Sequence, residues 1–252
     1  MQTIKLGIYR NRDLPFWILI RDLMKDAGED LELRLFCSHD VLNMALHAGD
    51  IDIACAQSRM SLARENRAHG YNLQELAATY IEPWSIITDK RLTLSDLRKN
   101  GNVIVLPEDK ADLGRALNIL RDLQLISLDD GEDPLPNLSS VISNPFGMIL
   151  IEESRDHILK ALTNKAVTAC LVPSEFKEDP KYQKKTHRCI FTESFHYKEK
   201  PNFPFMRILA VRNKEKQNSL YEQVVKIVNS KQAAAELRRL KHEHIILGFD
   251  EI

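Results

Sequence analysis

The sequence predicts an α/β protein, and three observations carry this prediction. Short apolar runs alternate along the chain with longer segments that carry apolar residues at helical spacing. Some short runs are almost wholly aliphatic, as at residues 103–106, which is typical of a strand buried on both faces. Glycine or proline punctuates the segments, and no internal repeat or low-complexity tract interrupts the alternation.

The first part of the chain, up to Pro83, switches regularly between strand and helix patterns. Pro15 is tolerated in the first turn of the first helix, and Gly49 and Gly70 follow the next two helices as C-terminal caps. We predict strands at residues 4–9, 31–36, 51–55 and 76–81, and helices at residues 13–27, 40–48 and 59–68.

The remainder of the chain continues the same alternation. Leu113, Leu117 and Leu120 form one apolar stripe on a strong helix, and Ser95 is placed to cap a helical turn at 96–99. We predict strands at residues 103–106, 148–151, 167–172 and 205–211, helices at 112–123, 154–162 and 219–240, and polar loops at 129–136 and 178–187.

The composition is that of an ordinary globular protein without a basic bias. Of 252 residues, 44% are hydrophobic and 28% charged, which is enough to build a core. The 35 Lys and Arg residues nearly balance 36 Asp and Glu residues, which argues against a nucleic-acid partner. No apolar run suggests a membrane span, and residues 1–7 show no signal peptide. The protein is therefore either cytoplasmic or a mature or trimmed form.

Motifs for nucleotide binding, metal binding and hydrolysis are absent from the sequence. It contains no phosphate-binding glycine loop, no dinucleotide fingerprint and no hydrolase or metalloprotease motif. The cysteines are widely spaced, which predicts small buried apolar residues and not a metal site or a disulfide framework. They are Cys37, Cys55, Cys170 and Cys189. We expect no cofactor and no metal.

Several segments occur in the order and spacing of one known family. The most specific is NMALHAGDID at residues 43–52, which follows the pattern N-x-A-L-x-x-G-x-I-D, and RAHGYNL at 67–73 comes next. The others are EP at 82–83, LTLSDL at 92–97, VIVLP at 103–107, DLGRAL at 112–117, LISLDDG at 125–131, SNP at 143–145 and PFMRILAVR at 204–212. The chain resembles the NlpA-type family, the methionine-binding lipoproteins of ABC importers.

This resemblance implies a fold and a function. The fold is the two-lobed, type 2 periplasmic-binding-protein fold, with a ligand cleft between lobes joined by two crossover strands. Residues 1–84 and 201–252 would form lobe 1, and residues 88–197 lobe 2. The protein would capture an amino-acid-like carboxylate, methionine or a more polar or anionic relative, and hand it to a membrane permease. We expect a monomer that is not an enzyme, periplasmic or lipid-anchored if a signal was removed.

The sequence departs from the family at the pocket. The resemblance implies an aromatic cage and two asparagines around the ligand. The corresponding positions here are Ala56, Ser58 and Ser61 after the third strand, His39 before the NMAL segment, Val172 late in the second lobe, and Arg207 on the returning strand. The loss of the cage lowers the expectation of methionine itself.

Arg115 is the pocket residue that survives. The resemblance assigns it to the ligand carboxylate. We also predict it in the first turn of its helix, where free N–H groups and the helix dipole favour an anion. The planar guanidinium suits a carboxylate.

Arg207 is predicted in the middle of a strand, on one face with Phe205 and Leu209. A buried guanidinium requires a partner, which is either a protein carboxylate or an anionic ligand. If both arginines face the ligand, the ligand carries a second negative or strongly polar group.

Further candidates follow strand ends, where open α/β sheets place ligand contacts. Tyr9 and Arg10 follow the first strand, and Gln57 and Ser58 follow the third. Two other hypotheses stay open. Cys55 with His39 would make a nucleophile and base on the same scaffold, and a signal-less sensor would close on its ligand to change a partner contact.

Overall fold

The computed structural model describes residues 3–9, 13–129, 135–154, 156–177, 186–194, 203–241 and 245–250. Arg10 and most of the predicted loop at 178–187 lie outside the described residues. The chain divides into two compact units: unit 1 comprises Met1–Ile81 and His196–Ile252, and unit 2 comprises Glu82–Phe195.

The described residues form strands and helices, as the sequence predicts for an α/β protein, and the two alternate strictly over residues 3–78. The helices are α1 (Leu14–Asp26), α2 (His39–Ala48), α3 (Arg59–His69), α4 (Lys110–Asp122), α5 (Ser219–Val228) and α6 (Lys231–Leu240). The strands are β1 (Thr3–Ile8), β2 (Asp30–Leu35), β3 (Ile53–Ser58), β4 (Leu73–Ala78), β5 (Tyr80–Ile81), β6 (Trp84–Thr88), β7 (Val103–Pro107), β8 (Ser127–Leu128), β9 (Val141–Ser143), β10 (Ile149–Glu153), β11 (Ala169–Pro173), β12 (Arg188–Thr192), β13 (Arg207–Arg212) and β14 (Ile246–Leu247).

Unit 1 is built on a five-stranded sheet with the order β2-β1-β3-β13-β4. The strands β2, β1 and β3 are parallel, whereas β13 runs antiparallel to both β3 and β4. Helix α1 packs with α5 and α6, and its buried Trp17 and Ile20 share a core with Ile8 of β1. A second core contains Leu46 of α2 and Ala54 of β3. Alternating side chains of β3 thus pack into two separate cores, because successive residues of a strand point to opposite faces.

Local signals in the sequence set the limits of α2. The Ser38 hydroxyl accepts a hydrogen bond from the Val41 N–H at its start, and Gly49 at φ 90° ends it in the left-handed conformation. Gly7 in β1 has no room for a larger residue, since a Cβ there would lie 2.5 Å from Ile51 Cδ1. The strand and the segment after α2 therefore approach each other closely.

Unit 2 is built on a second five-stranded sheet with the order β10-β7-β11-β6-β12. Strand β7 is parallel to β10 and β11, and β6 is antiparallel to β11 and β12. Helix α4 packs on β7 through the predicted stripe of Leu113, Leu117 and Leu120, all of which are buried. Throughout the part of the chain that is described, no helix is long and apolar enough to cross a membrane.

The structure corrects three predicted helices. The single helix expected at 219–240 is two helices, because Ser230 accepts a hydrogen bond from the Ala233 N–H and so starts a new one. The helix expected at 154–162 is reduced, within the described residues, to a short 3-10 helix at Lys160–Thr163. The turn predicted at 96–99 is a 3-10 helix at Leu94–Arg98, capped by Thr93 and not by Ser95.

Candidate functional site

The carboxyl ends of β1 and β3 carry a group of polar and aromatic side chains in unit 1. The rings of Tyr9 and His39 pack with their centroids 4.0 Å apart and their planes at 47°. Tyr9 follows β1 directly and His39 begins α2, so the two strand–helix connections bring these candidates together. Both lie on the α2 side of the sheet, where Tyr9 packs against the second core.

Gln57 is buried, and its side-chain amide is paired with Asn43 of α2. The Asn43 Nδ2 donates to Gln57 Oε1 at 3.0 Å, and the Gln57 Nε2 donates to Asn43 Oδ1 at 2.8 Å. This reciprocal pair holds β3 against α2. Asn43, the first residue of the motif at 43–52, thus has a structural partner that the sequence alone did not reveal.

Ser58 and Ser61 form a small polar pair at the start of α3, where Ser61 is buried. The Ser58 hydroxyl accepts a hydrogen bond from the Ser61 N–H at 3.2 Å, and the two hydroxyl oxygens lie 3.0 Å apart. One turn further on, Glu65 is only 5% exposed. Burial raises the pKa of the Glu65 carboxyl, and the negative charge of Asp40 raises it further. The sequence reasoning missed Glu65, whose helical spacing from Ser61 was the available signal.

Arg207 belongs to a charged cluster in unit 1 that the sequence did not indicate. Asp13 accepts hydrogen bonds from Lys241 Nζ at 2.8 Å and from the Tyr80 hydroxyl at 3.3 Å. Arg207 NH1 lies 4.0 Å from Asp13 Oδ2, and the guanidinium stands over the Tyr80 ring at 5.5 Å. Of the two partners predicted for Arg207, the structure provides the protein carboxylate.

The position of Arg207 in its strand also differs from the prediction. Arg207 is the first residue of β13 and does not lie in the middle of the strand. Phe205 precedes the strand. Arg207 lines a small pocket with aromatic and aliphatic walls. Its lining residues are Asp13, Phe16, Trp17, Cys55, Thr79, Tyr80, Arg207, Leu237, Leu240 and Lys241.

Arg115 in unit 2 is bound by groups of the chain itself. Its NH2 group donates to Glu193 Oε2 at 2.5 Å and to the Glu82 carbonyl at 2.8 Å, and the guanidinium lies 5.4 Å from the centre of the Trp84 ring. Trp84 is in the core of unit 2. The Arg115 residue is 8% exposed. Glu193 was not predicted, because it lies 78 residues away in sequence without a motif of its own.

The prediction that Arg115 lies in the first turn of its helix is wrong. The Asp109 side chain accepts hydrogen bonds from the Ala111 and Asp112 N–H groups, so α4 begins at Lys110 and Arg115 lies in its second turn. The free N–H groups at the helix start are therefore not available beside Arg115. The group beside Arg115 is instead the buried carboxylate of Glu193. Burial raises the pKa of this carboxyl group, although the positive charge of Arg115 acts to lower it.

The structure does not bring Cys55 and His39 together. Cys55 packs against the core that contains α1, whereas His39 packs against Tyr9 on the other face of the same sheet. Burial raises the pKa of the Cys55 thiol, and the negative charge of Asp13 raises it further. A thiol in this environment is not a thiolate at neutral pH, so the arrangement does not support a nucleophile. Among the residues described here, no group of His, Cys, Asp and Glu side chains could hold a metal ion.

Cys37 and Cys189 are exposed, so the prediction that the cysteines are small buried residues is wrong for these two. Alkylation of the native protein by iodoacetamide at pH 7.5 is expected to modify both. Cys55 and Cys170 are expected to stay unmodified, because burial raises the pKa of both thiols. Peptide mass spectrometry reads each site, and the unfolded protein, labelled at all four, is the control. Labelling of Cys55 in the native protein as fast as that of Cys37 would contradict this description.

The two α/β units have the fold of the two-lobed substrate-binding proteins. A methionine-bound nutrient-binding protein from Burkholderia cenocepacia superposes with a TM-score of 0.77 at 22% identity, over 98% of this chain and 100% of that one. The sequence profile of the NlpA lipoprotein family matches residues 4–248. The chain therefore belongs to the NlpA lipoprotein family, as the sequence segments predicted.

Two curated relatives agree with this assignment. Lipoprotein 28 of Escherichia coli K12 is 26% identical over 214 residues, which are 84% of this chain and 76% of the relative. The D-methionine-binding lipoprotein MetQ of the same strain is 27% identical over 174 residues, which are 69% of this chain. That match spans 64% of the length of MetQ, just under two thirds.

Proposed function

We propose that this chain is the solute-binding receptor of an ABC-type importer, that it binds a small amino-acid-like solute, and that it catalyses no reaction. The observation that carries the proposal is the match of the NlpA lipoprotein family to residues 4–248. Relatives that bind methionine by their names or in their crystals support the solute class. A receptor of this kind delivers its solute to a membrane permease and works at the membrane surface.

The charges of the candidate residues favour a zwitterionic solute over a dianionic one. A second negative group on the solute would need a second cation, and both predicted arginines have carboxylates of the chain as neighbours. Arg115 is paired with Glu193, and Arg207 lies 4.0 Å from Asp13. The positions that carry an aromatic cage in the family read Ser58 and Ser61 here, so we propose methionine and small neutral polar amino acids as the first solutes to test.

A thermal-shift screen tests the proposal. The protein is unfolded and refolded to remove bound solute, and then heated with each L- and D-amino acid, dipeptides and dicarboxylates. A solute at 100 times its Kd stabilises the folded protein by about 2.7 kcal/mol, which is readily detected. We expect one or a few amino acids to raise the melting temperature, and calorimetry then gives the affinity. A screen without any stabilising solute would overturn the proposal.

Helix α2 offers a matched pair of variants for this measurement. The His39 ring packs at a tilt against Tyr9 at one end of the helix, and His47 stacks on Tyr71 at the other with ring centroids 4.5 Å apart. We expect His39→Ala to weaken binding by about tenfold, the value of one lost contact of about 1.4 kcal/mol. His47→Ala removes the same type of contact away from the strand ends and should leave the affinity unchanged. Equal effects of both variants would place the solute elsewhere.

A further inference from the structure

The surroundings of Arg115 have the form of a carboxylate-binding site, which the Glu193 side chain occupies. One oxygen of Glu193, Oε2, accepts from the Trp84 backbone N–H at 2.8 Å and from Arg115 NH2 at 2.5 Å. A backbone N–H and a guanidinium that converge on one oxygen are strong, charge-assisted donors for any carboxylate.

Both donors are positioned by groups other than the Glu193 carboxylate. The Arg115 guanidinium is bound by the Glu82 carbonyl and lies over the Trp84 ring, and Trp84 is fixed as the first residue of β6 in the sheet. The carboxylate-binding site would therefore keep its shape if the Glu193 side chain left it. The Glu193 backbone is held separately, since its N–H donates to the Trp84 carbonyl at 2.8 Å. Rotation of the side chain alone would vacate the site.

We propose that Arg115 and the Trp84 N–H form a carboxylate-binding site in unit 2 that Glu193 of the chain itself occupies. A solute carboxylate reaches Arg115 only by displacing Glu193, so Glu193 is an internal competitor that sets both the affinity and the preference for the solute head group. The existence of the carboxylate site stands on the geometry of unit 2. Its use by a solute rests on the proposed function.

Chemical rescue tests the site without any knowledge of the solute. Glu193→Ala removes the occupant and leaves the two donors in place, and acetate supplies a carboxylate of similar size. We expect acetate at about 100 mM to raise the melting temperature of Glu193→Ala by at least about 3 °C more than that of the wild type. Acetamide, which has the same shape and no charge, should have no such effect. In a Trp17→Phe background, the fluorescence of Trp84 reports the site directly, because the chain has only two tryptophans.

Two variants keep this test decisive. Arg115→Met combined with Glu193→Ala should abolish the rescue by acetate, because the cation is gone. Glu193→Gln keeps an oxygen for the Trp84 N–H and removes the charge, so it serves if Glu193→Ala does not fold, and acetate should again stabilise it more than the wild type. An equal response of variant and wild type to acetate, or a rescue that persists without Arg115, would overturn the proposed site.

The competitor role is measured with a solute found in the screen and with its neutral amide. We expect Glu193→Gln to bind the free carboxylate at least about tenfold more tightly than the wild type does, with little change for the amide. If Glu193→Gln leaves the ratio of the affinities for the carboxylate and its amide unchanged, the competitor role of Glu193 is refuted. The proposal that the chain is a solute-binding receptor would not be affected. Acetate rescue in a protein that binds no amino acid would count against the receptor proposal and still support the carboxylate site.

Discussion

Replacing Arg115 by methionine is expected to lower the free energy of unfolding of unit 2 by about 3–5 kcal/mol, because it leaves the buried Glu193 carboxylate without its cation. The loss should grow with pH. Without Arg115 the folded protein holds a proton on Glu193 where the unfolded chain releases it, so stability falls as the pH rises above the ordinary glutamate pKa of 4.5. Urea unfolding followed by Trp84 fluorescence in a Trp17→Phe background measures this at pH 5 and pH 8.

Arg121→Met is the matched control on the same helix. Its guanidinium pairs with Asp122 at 2.9 Å, but both side chains are exposed. An exposed pair contributes little, so a change of less than about 0.5 kcal/mol is expected. The double variant Arg115→Met with Glu193→Leu removes both charges and should recover part of the loss. Equal losses of unfolding free energy for Arg115→Met and Arg121→Met would show that the buried ion pair stabilises the protein no more than the exposed pair does.

Replacing Arg212 by methionine is expected to lower the free energy of unfolding of unit 1 by about 3 kcal/mol. Arg212 ends β13 and donates to the carbonyls of Leu46 at 2.6 Å and Ile51 at 2.5 Å, and its other nitrogen donates to Glu215 at 2.5 Å. Methionine fills similar space but leaves these acceptors without the donor. Unfolding followed by Trp17 fluorescence in a Trp84→Phe background should show the loss.

Arg239→Met provides the comparison within unit 1. Arg239 pairs with Glu236 at 2.6 Å one turn away, with its own side chain 68% exposed. This change should cost less than about 0.5 kcal/mol. Arg212→Lys should recover less than half of the stability, because a single ammonium cannot reach acceptors on two sides as a planar fork does. A result in which Arg212→Met and Arg239→Met are equivalent would be inconsistent with the bonds described.

The sequence predicts the order of strands and helices well where local patterns determine them. The stripe of Leu113, Leu117 and Leu120 gives α4 its buried face, and Gly49 ends α2, as predicted. The division of the last long helix was not predicted, because Asn229 and Ser230 interrupt a pattern whose apolar period continues on both sides. Helical periodicity alone does not distinguish one helix from two that pack on the same core.

The candidate residues show the other limit of sequence reasoning. Tyr9 does follow β1, whereas Gln57 and Ser58, which were predicted to follow the third strand, lie within β3. The partners of the candidate residues lie far away along the chain. Asp13 and Lys241 are 228 positions apart, and Asn43 and Gln57 face each other only because β3 lies beside α2. Tertiary packing determines whether an arginine is exposed to solvent or forms an ion pair with a carboxylate of the chain. No local sequence pattern contains that information. Family segments located Arg115 but not Glu193.

The order of strands in unit 1 has a consequence for how the chain is made. Strand β13 lies between β3 and β4, yet it is synthesised long after both of them. The two ends of unit 2 lie next to each other, because Trp84 and Glu193 are joined by hydrogen bonds of backbone and side-chain atoms. On the ribosome, all strands of unit 2 are therefore synthesised before β13, the strand that joins β3 to β4 in the sheet of unit 1. The five-stranded sheet of unit 1 is therefore completed only after unit 2 has been synthesised.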